Sequence, residues 1–390
     1  MKIMHLLRLM AAASLPALYS CAPLKEFGKT AVYTETNHFP YTIPAYDSLK
    51  KTVVIVANND GTELFDMMAP FYLFNATGRA NVYLVAKNNF PIVVKKGLFV
   101  LPQLTFAGID SLGIRPDLIV IPFLSVADSL HQDPVIINWI KNHYAPETNI
   151  LSVCDGAATA AATGLYDAKP MTAHASDYAR IKSSFSKPVW IQNTTVAGEG
   201  RLYSTAGVSN ATEGSLLLIQ KLFGAGVMKD VIDDINYPKQ SPETEHKSNT
   251  FRWADQAATG KKILFRKNKR IGVFISDGIN EFELASILDT YNRTFPKSIH
   301  SFSGNDSAVH TLYSLTLVPT GKTKENKVDE MHVPASVSLP PSANTIFQPA
   351  AMILYDAAEK QYLLDQCLDR IKQEYGNRFA NVVKLMLDYN

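Results

Sequence analysis

The sequence predicts an α/β protein: a doubly wound parallel sheet carrying a nucleophile elbow, followed by a second, incomplete copy of the same fold. Three observations lead there. Short continuous apolar runs, Thr52-Val-Val-Ile-Val-Ala57 and Pro116-Asp-Leu-Ile-Val-Ile-Pro122, alternate with helical patterns, which is how strands buried on both faces of a parallel sheet read. Asn149-Ile-Leu-Ser-Val-Cys154-Asp-Gly156 runs from such a strand straight into small residues, Ala157-Ala-Thr-Ala-Ala-Ala162. The opening of the first unit then recurs at Arg270-Ile-Gly-Val-Phe-Ile-Ser-Asp-Gly278, a sign of internal repetition.

In order, Thr52 to Ala57 is a buried strand, Asn58 to Gly61 a turn and Glu63 to Asn75 a helix stopped by Gly78. Ala80 to Ala86 is the next strand, so the three form a βαβ unit with a right-handed crossover. Phe90 to Leu104 alternates around Lys95-Lys-Gly97 and reads as a hairpin excursion, Asp133 to Tyr144 as an amphipathic helix. Val189 to Val196 and Leu202 to Thr205 are later strands, and Gly207 to Gly214 opens a helix through Phe223. The expected divisions are 1–20 signal peptide, 21–49 lipidated tether, 50–238 first α/β domain, 239–268 polar linker and 269–390 degenerate second domain. In the repeat, Asp60-Gly61 and Phe65-Asp66 correspond to Asp277-Gly278 and Phe282-Glu283 at a constant offset. No cysteine-bearing elbow follows there. Leu312 to Val318 reads as a hairpin region, Val328 to Pro341 as a Pro-rich strand or loop and Gln361 to Tyr389 as helices.

The 390 residues, 46% hydrophobic and 19% charged, suit a folded chain of two domains. A net charge of +2 gives no reason to expect a nucleic-acid partner. Met1 to Ser20 has a basic start and an apolar stretch too short to span a bilayer. Leu18-Tyr-Ser-Cys21 resembles a bacterial lipobox, which makes Cys21 the expected lipidation site and places the protein in the cell envelope, facing periplasm or exterior. With Cys21 acylated, Cys154 and Cys367 remain. Cys367 sits in a helical pattern as a core residue, and no disulfide framework is expected.

Cys154 stands on the strand-to-helix corner that presents a nucleophile at the top of an α/β sheet, where Gly156 lets the helix start without a clash. Free helix N–H groups and the helix dipole are expected to favour its thiolate, and backbone N–H groups near Asp155 and Gly156 to act as oxyanion donors. Taken with Gly61-Thr-Glu-Leu-Phe-Asp66-Met-Met-Ala-Pro70, Gly164-Leu-Tyr-Asp, Thr172-Ala-His174 and Thr205-Ala-Gly-Val-Ser, the chain from Lys51 to Pro238 resembles the ThiJ/PfpI superfamily, flavodoxin-like relatives of class I glutamine amidotransferases. It looks nearest to the subgroup of isonitrile hydratase and the ligand domains of AraC-type regulators.

The resemblance implies that Asp66, from the first helix, lies beside Cys154 as its acid/base partner, and that Gly61, Glu63 and His174 serve binding. Three departures stand out: Asp155 directly after the cysteine, Ala175 in place of an aromatic after His174, and Glu213 at an acidic position of the last helix. A carboxylate at 155 works against a thiolate if it points inward. The expected function is a cysteine-dependent hydrolase or hydratase/lyase acting on a small electrophile; the alternative is a non-catalytic small-molecule-binding or scaffold lipoprotein. No metal or cofactor is called for. The expected partners are a small-molecule ligand or substrate and a membrane reached through the lipid, with room left for a homodimer.

Overall fold

The computed structural model describes residues 27, 32–34, 44–94, 97–125, 132–242, 245–324, 327–340 and 346–390. The expected signal peptide, Cys21 and most of the tether lie outside the described residues.

The first half runs β1 (Lys51–Ala57), α1 (Leu64–Ala76), β2 (Ala80–Ala86), β3 (Ile92–Val94), β4 (Leu98–Val100), β5 (Leu104–Thr105), α2 (Phe106–Ser111), β6 (Leu118–Ile121), α3 (Pro134–His143) and β7 (Asn149–Ser152). It continues with α4 (Gly156–Ala162), β8 (Pro170–Met171), α5 (Tyr178–Ser184), β9 (Val189–Trp190), β10 (Val196–Glu199), β11 (Leu202–Thr205), α6 (Ala211–Phe223) and α7 (Ala225–Asp234). The stretch expected as linker contains a 13-residue helix, α8 (Trp253–Phe265). Then follow β12 (Arg270–Phe274), α9 (Glu281–Asn292), β13 (Ser298–Phe302), β14 (Val309–His310), β15 (Thr316–Pro319), β16 (Glu330–Val333), β17 (Ala351–Leu354), α10 (Leu363–Tyr375) and α11 (Asn377–Leu387).

The main sheet has the order β10-β11-β7-β6-β1-β2-β5, parallel except for β10 against β11. Alternate residues of β1 serve opposite faces. Val53, Ile55 and Ala57 join the core with α1 and α6, whereas Val54 and Val56 join a second core with α3 and α4. Helices on both faces bury every side chain of the strand beyond Lys51, which is why these strands read as unbroken apolar runs. Strand order reverses between β1 and β6, and in open α/β sheets ligands bind outside the carboxyl ends at such a point.

The second half builds a smaller parallel sheet, β13-β12-β16-β17, in the order of β2-β1-β6-β7. Hydrogen bonding fixes the correspondence: Thr52 N donates to Asp117 Oδ2 at 2.9 Å, and Arg270 N donates to Asp329 Oδ2 at 2.8 Å. Thr52 thus matches Arg270, which makes the turn before the Asp-Gly pair one residue shorter in the second half. The pairings Ile121 with Ser152 and Val333 with Leu354 then put Asp356 at the place of Cys154. Asp356 is extended, φ −118°, and opens only a short 3-10 turn.

The halves are joined in two ways. Helices α1 and α9 pack together, with Phe65 edge-on to Phe282 at 5.4 Å between ring centroids. The hairpins β3-β4 and β14-β15 merge through antiparallel pairing of β4 with β15. Both surfaces of α1 are therefore covered, and Leu64 to Phe74 are buried without exception.

Candidate functional site

Cys154 has φ +55°, the left-handed region that L residues enter at a cost of roughly 1–3 kcal/mol. The turn is held by its surroundings: Val153 N donates to Ile121 O at 2.9 Å, and Gly156 N donates to Val153 O at 2.8 Å. A Cβ on Gly156 would lie 2.2 Å from Ile121 O and 2.7 Å from Pro122 O, so only glycine allows α4 to start against the end of β6. Gly156 N–H is consequently engaged and is not the oxyanion donor the sequence led us to expect. Asp155 N–H instead donates to the Cys154 sulfur.

The electrostatics of the site oppose the expected thiolate. Burial first, and then the carboxylates of Asp66, Asp155 and Glu63, push the Cys154 thiol well above its ordinary value, against the one hydrogen bond from Asp155 N–H. Helix α4 is seven residues long, and its dipole does not offset a dry site with three acidic neighbours. Cys154 and Cys367 are both free thiols.

Asp66 lies beneath the cysteine on the first turn of α1, fully buried. Its Oδ2 accepts from Phe123 N at 3.1 Å, and its Oδ1 has no hydrogen-bond partner among the described residues. Burial, then the Glu63 charge, raises its pKa well above 3.8, which favours its protonated form. Glu63 caps α1 by accepting from Asp66 N at 3.0 Å. Its other oxygen meets Arg293, at the end of α9 in the second half, at 3.1 Å. Arg293 also donates to Met386 O at 3.1 Å and Asp289 O at 2.9 Å, and it pairs with the Asp289 carboxylate. Burial alone would lower the guanidinium's pKa; Asp289 and Glu63 outweigh that and raise it. Arg293 stands where the repeat has Ala76 in the first half, a departure that could have marked it in the sequence.

Cys154, Glu63 and Arg293 border a cavity of about 600 Å³, and Asp66, fully buried, is not among the residues that line it. Glu63, Phe123, Cys154, Asp155 and Arg180 form its first-half wall, with His174 beside them. Arg293 and Phe295 come from the second half, Met386 from α11, and Phe251, Thr259 and Ile263 from α8 and its approach. None of these last six was singled out in the sequence, because they come from segments that local motifs do not connect. Asp155 lies 3.7 Å from Arg180, which also pairs with Asp177 at 2.8 Å, so its charge is met at the wall.

His174 lines the cavity with both nitrogens engaged. Nδ1 accepts from Ser176 N at 3.1 Å, and Nε2 faces Met386 O at 3.3 Å. Burial holds its pKa below 6.5, and as a neutral ring it ties the C-terminal helix to the site rather than serving as a base. Gly61 does not line the cavity. Its Cα packs under the loop after β6, where an added Cβ would come 2.6 Å from Ser125 Cβ. Glu213 likewise lies outside the cavity, accepting from Tyr237 OH at 2.6 Å. No group of three or more His, Cys, Asp or Glu placed to hold a metal ion occurs among the described residues.

A cysteine on a left-handed elbow over a doubly wound sheet, with a buried acid from the first helix below it, defines the class. Residues 50–220 match the DJ-1/PfpI family, and the chain carries a DJ-1/PfpI family domain there. Among solved structures it is similar to Drosophila melanogaster DJ-1beta, at 17% identity, covering 48% of this chain and 97% of that one, with a TM-score of 0.43. Schizosaccharomyces pombe DJ-1 gives 20% identity, 47% and 97% coverage and a TM-score of 0.41. A ThiJ/PfpI family protein from Pseudomonas syringae gives 18% identity, 51% and 84% coverage and a TM-score of 0.43. No curated protein matches the chain.

Proposed function

We propose that the protein is a cysteine-dependent hydrolase or hydratase/lyase acting on a small, neutral electrophile, such as an isonitrile or an activated carbonyl compound. The observation that carries this is the pairing of a strained, cavity-facing Cys154 with a fully buried Asp66 whose Oδ1 has no hydrogen-bond partner among the described residues. A thiol and a carboxylic acid, the protonated forms that burial favours for both, suit addition across a polarised multiple bond. Sulfur attacks the electrophilic carbon, Asp66 gives its proton to the substrate, and the thiol proton passes to the Asp66 carboxylate. With an isonitrile, the thioimidate so formed takes up water at the same carbon and expels the thiol, leaving the formamide. With an activated ester, the alcohol leaves with the proton from Asp66, and water then hydrolyses the thioester to the acid and the free thiol. The cavity volume falls in the range of small-molecule sites, and a neutral substrate avoids setting a charge against Glu63 and Arg293.

The isonitrile hydratase-like subgroup, export and the lipid on Cys21 belong to the same proposal, as does an origin of the second half by internal duplication. No helix among the described residues is long and apolar enough to cross a membrane, and the lipid supplies the proposed attachment. The raised pKa of Cys154 favours the other reading, a lipoprotein that holds a small molecule without turning it over.

Alkylation and turnover separate the two. Iodoacetamide should label Cys154 in the folded protein with a rate that climbs above pH 9, while Cys367, held up to about 12, stays unlabelled. Wild type should convert a panel of isonitriles and activated esters, and Cys154→Ser should not. A Cys154 that reacts only after denaturation, with no turnover above the Cys154→Ser background, would leave the binding reading.

A further inference from the structure

Helix α8 forms one rim of the Cys154 cavity, and its outer side is unusual for a surface helix. Trp253 is 72% exposed, Leu264 60% and Phe265 78%, with Phe251 just before the helix also exposed. Trp253, Ala257 and Leu264 follow helical spacing and make one apolar stripe, with Gly260 between it and the cavity, which it lines. The adjoining side of the same helix, Gln256, Thr259 and Ile263, faces the cavity. The helix is fixed in this position by Lys262, whose Nζ donates to Asn268 Oδ1 at 3.0 Å and Phe295 O at 3.1 Å. Arg252, Lys261 and Arg266 are exposed along this stretch, against one carboxylate, Asp255, whereas Lys262 is buried and Lys267 pairs with Asp329 at 2.9 Å.

We propose that this rim docks on an anionic lipid bilayer, so that the cavity opens at the membrane and takes its electrophile from among membrane-dissolved molecules. The inference deepens the proposed function and rests on its lipidated Cys21. Two observations select a bilayer as the occupant. Exposed Trp, Leu and Phe interleaved with Lys and Arg is the make-up of a helix lying in the interface of an anionic membrane. A second copy docked through the same face would set three exposed cations against three. The anchor points the same way. Phe27 packs on Phe295 with ring centroids 4.8 Å apart and lines the cavity. Six residue steps separate it from Cys21 and span at most about 20 Å. An acyl chain on Cys21 therefore holds the cavity mouth within about 20 Å of the lipid surface.

Tryptophan quenching tests this with the full acylated chain reconstituted in phosphatidylcholine/phosphatidylglycerol vesicles carrying brominated acyl chains. Of the three tryptophans, Trp139 is buried and Trp190 is half-buried, donating to Phe185 O at 2.7 Å. The brominated lipid should quench the Trp253 emission, and Trp253→Tyr should abolish that loss. Phosphatidylcholine alone, or Lys261→Gln with Arg266→Gln, should weaken it. Flotation of the vesicles reports the anchor separately, and turnover of a water-soluble electrophile reports the site. Protein that floats while Trp253 stays unquenched overturns the docking surface and assigns the stripe to a protein contact. Protein that does not float at all overturns the anchor and the docking together, with the catalytic reading still judged by turnover.

Discussion

Replacing Arg293 with methionine removes the one cation that the second half places against the site's acidic groups. The guanidinium is 3% exposed and meets Glu63, the Asp289 carboxylate and the carbonyls of Asp289 and Met386. Methionine fills much of the same volume, so the loss is electrostatic: two carboxylates are left in a dry site and two carbonyls lose donors. Breaking a buried ion pair from one side costs about 3–5 kcal/mol. That is a large part of the roughly 5–15 kcal/mol by which domains are stable. Urea denaturation at pH 7 should show this loss. It should shrink at pH 5, nearer the carboxylate range, where the stranded groups can take up protons. Adding Glu63→Gln and Asp289→Asn should restore most of the stability at pH 7, because the penalty lies in the uncompensated charge. A loss under about 1 kcal/mol, or one equal at both pH values, would refute the reasoning.

Gly156→Ala should destabilise by about 1–3 kcal/mol or more, since its Cβ meets two carbonyl oxygens, and should alter the pH profile of Cys154 alkylation. An unchanged urea midpoint and profile would contradict this. Asp66 has a folded pKa raised above 3.8, so its contribution is whole below the unfolded value and is lost as pH rises through the folded one. Asp66→Asn stays neutral and should gain on wild type by up to about 1.4 kcal/mol per pH unit across that window, read as Tm against pH. Above the pH at which Asp66 ionises, the same substitution removes a charge opposing the thiolate, so alkylation of Cys154 there should accelerate. Cys21→Ser should move the protein from the membrane to the soluble fraction after cell lysis, and equal membrane retention would remove the lipid from the account.

The first-half fold was legible because each of its devices is local. Continuous apolar runs marked β1, β2, β6 and β7, and Glu63 could be read as a helix start because capping depends on residues three apart. The elbow was legible for the same reason, from one cysteine, one glycine and a run of alanines. Its electrostatics were not, because the pKa of Cys154 depends on carboxylates brought in from α1 and on exclusion of water, neither of which follows from the local string. Helix α8 was hidden in a charged, apparently featureless stretch. Its helical packing shows only once Lys262 and Ile263 find the second half and α11. Arg293 was hidden by distance, 230 residues from Glu63.

The two halves share one acidic position, and the difference in its use separates a structural role from a chemical one. Glu283, the counterpart of Asp66, accepts at Oε2 from both Ser336 N and Ser336 Oγ, tying the loop after β16 to α9. Asp66 ties the loop after β6 to α1 in the same way through Phe123 N, but with Oδ2 alone. In the half that keeps its cysteine, the second oxygen is buried with no hydrogen-bond partner among the described residues, at a cost of about 1–3 kcal/mol. In the other half Asp356 replaces the cysteine in an extended backbone, and the elbow is gone. The second half supplies Arg293 to the first, where the matching position is Ala76. The asymmetry places the strained thiol and the bridging cation on one cavity, while the acid of the first half is fully buried and accepts a hydrogen bond from Phe123 N.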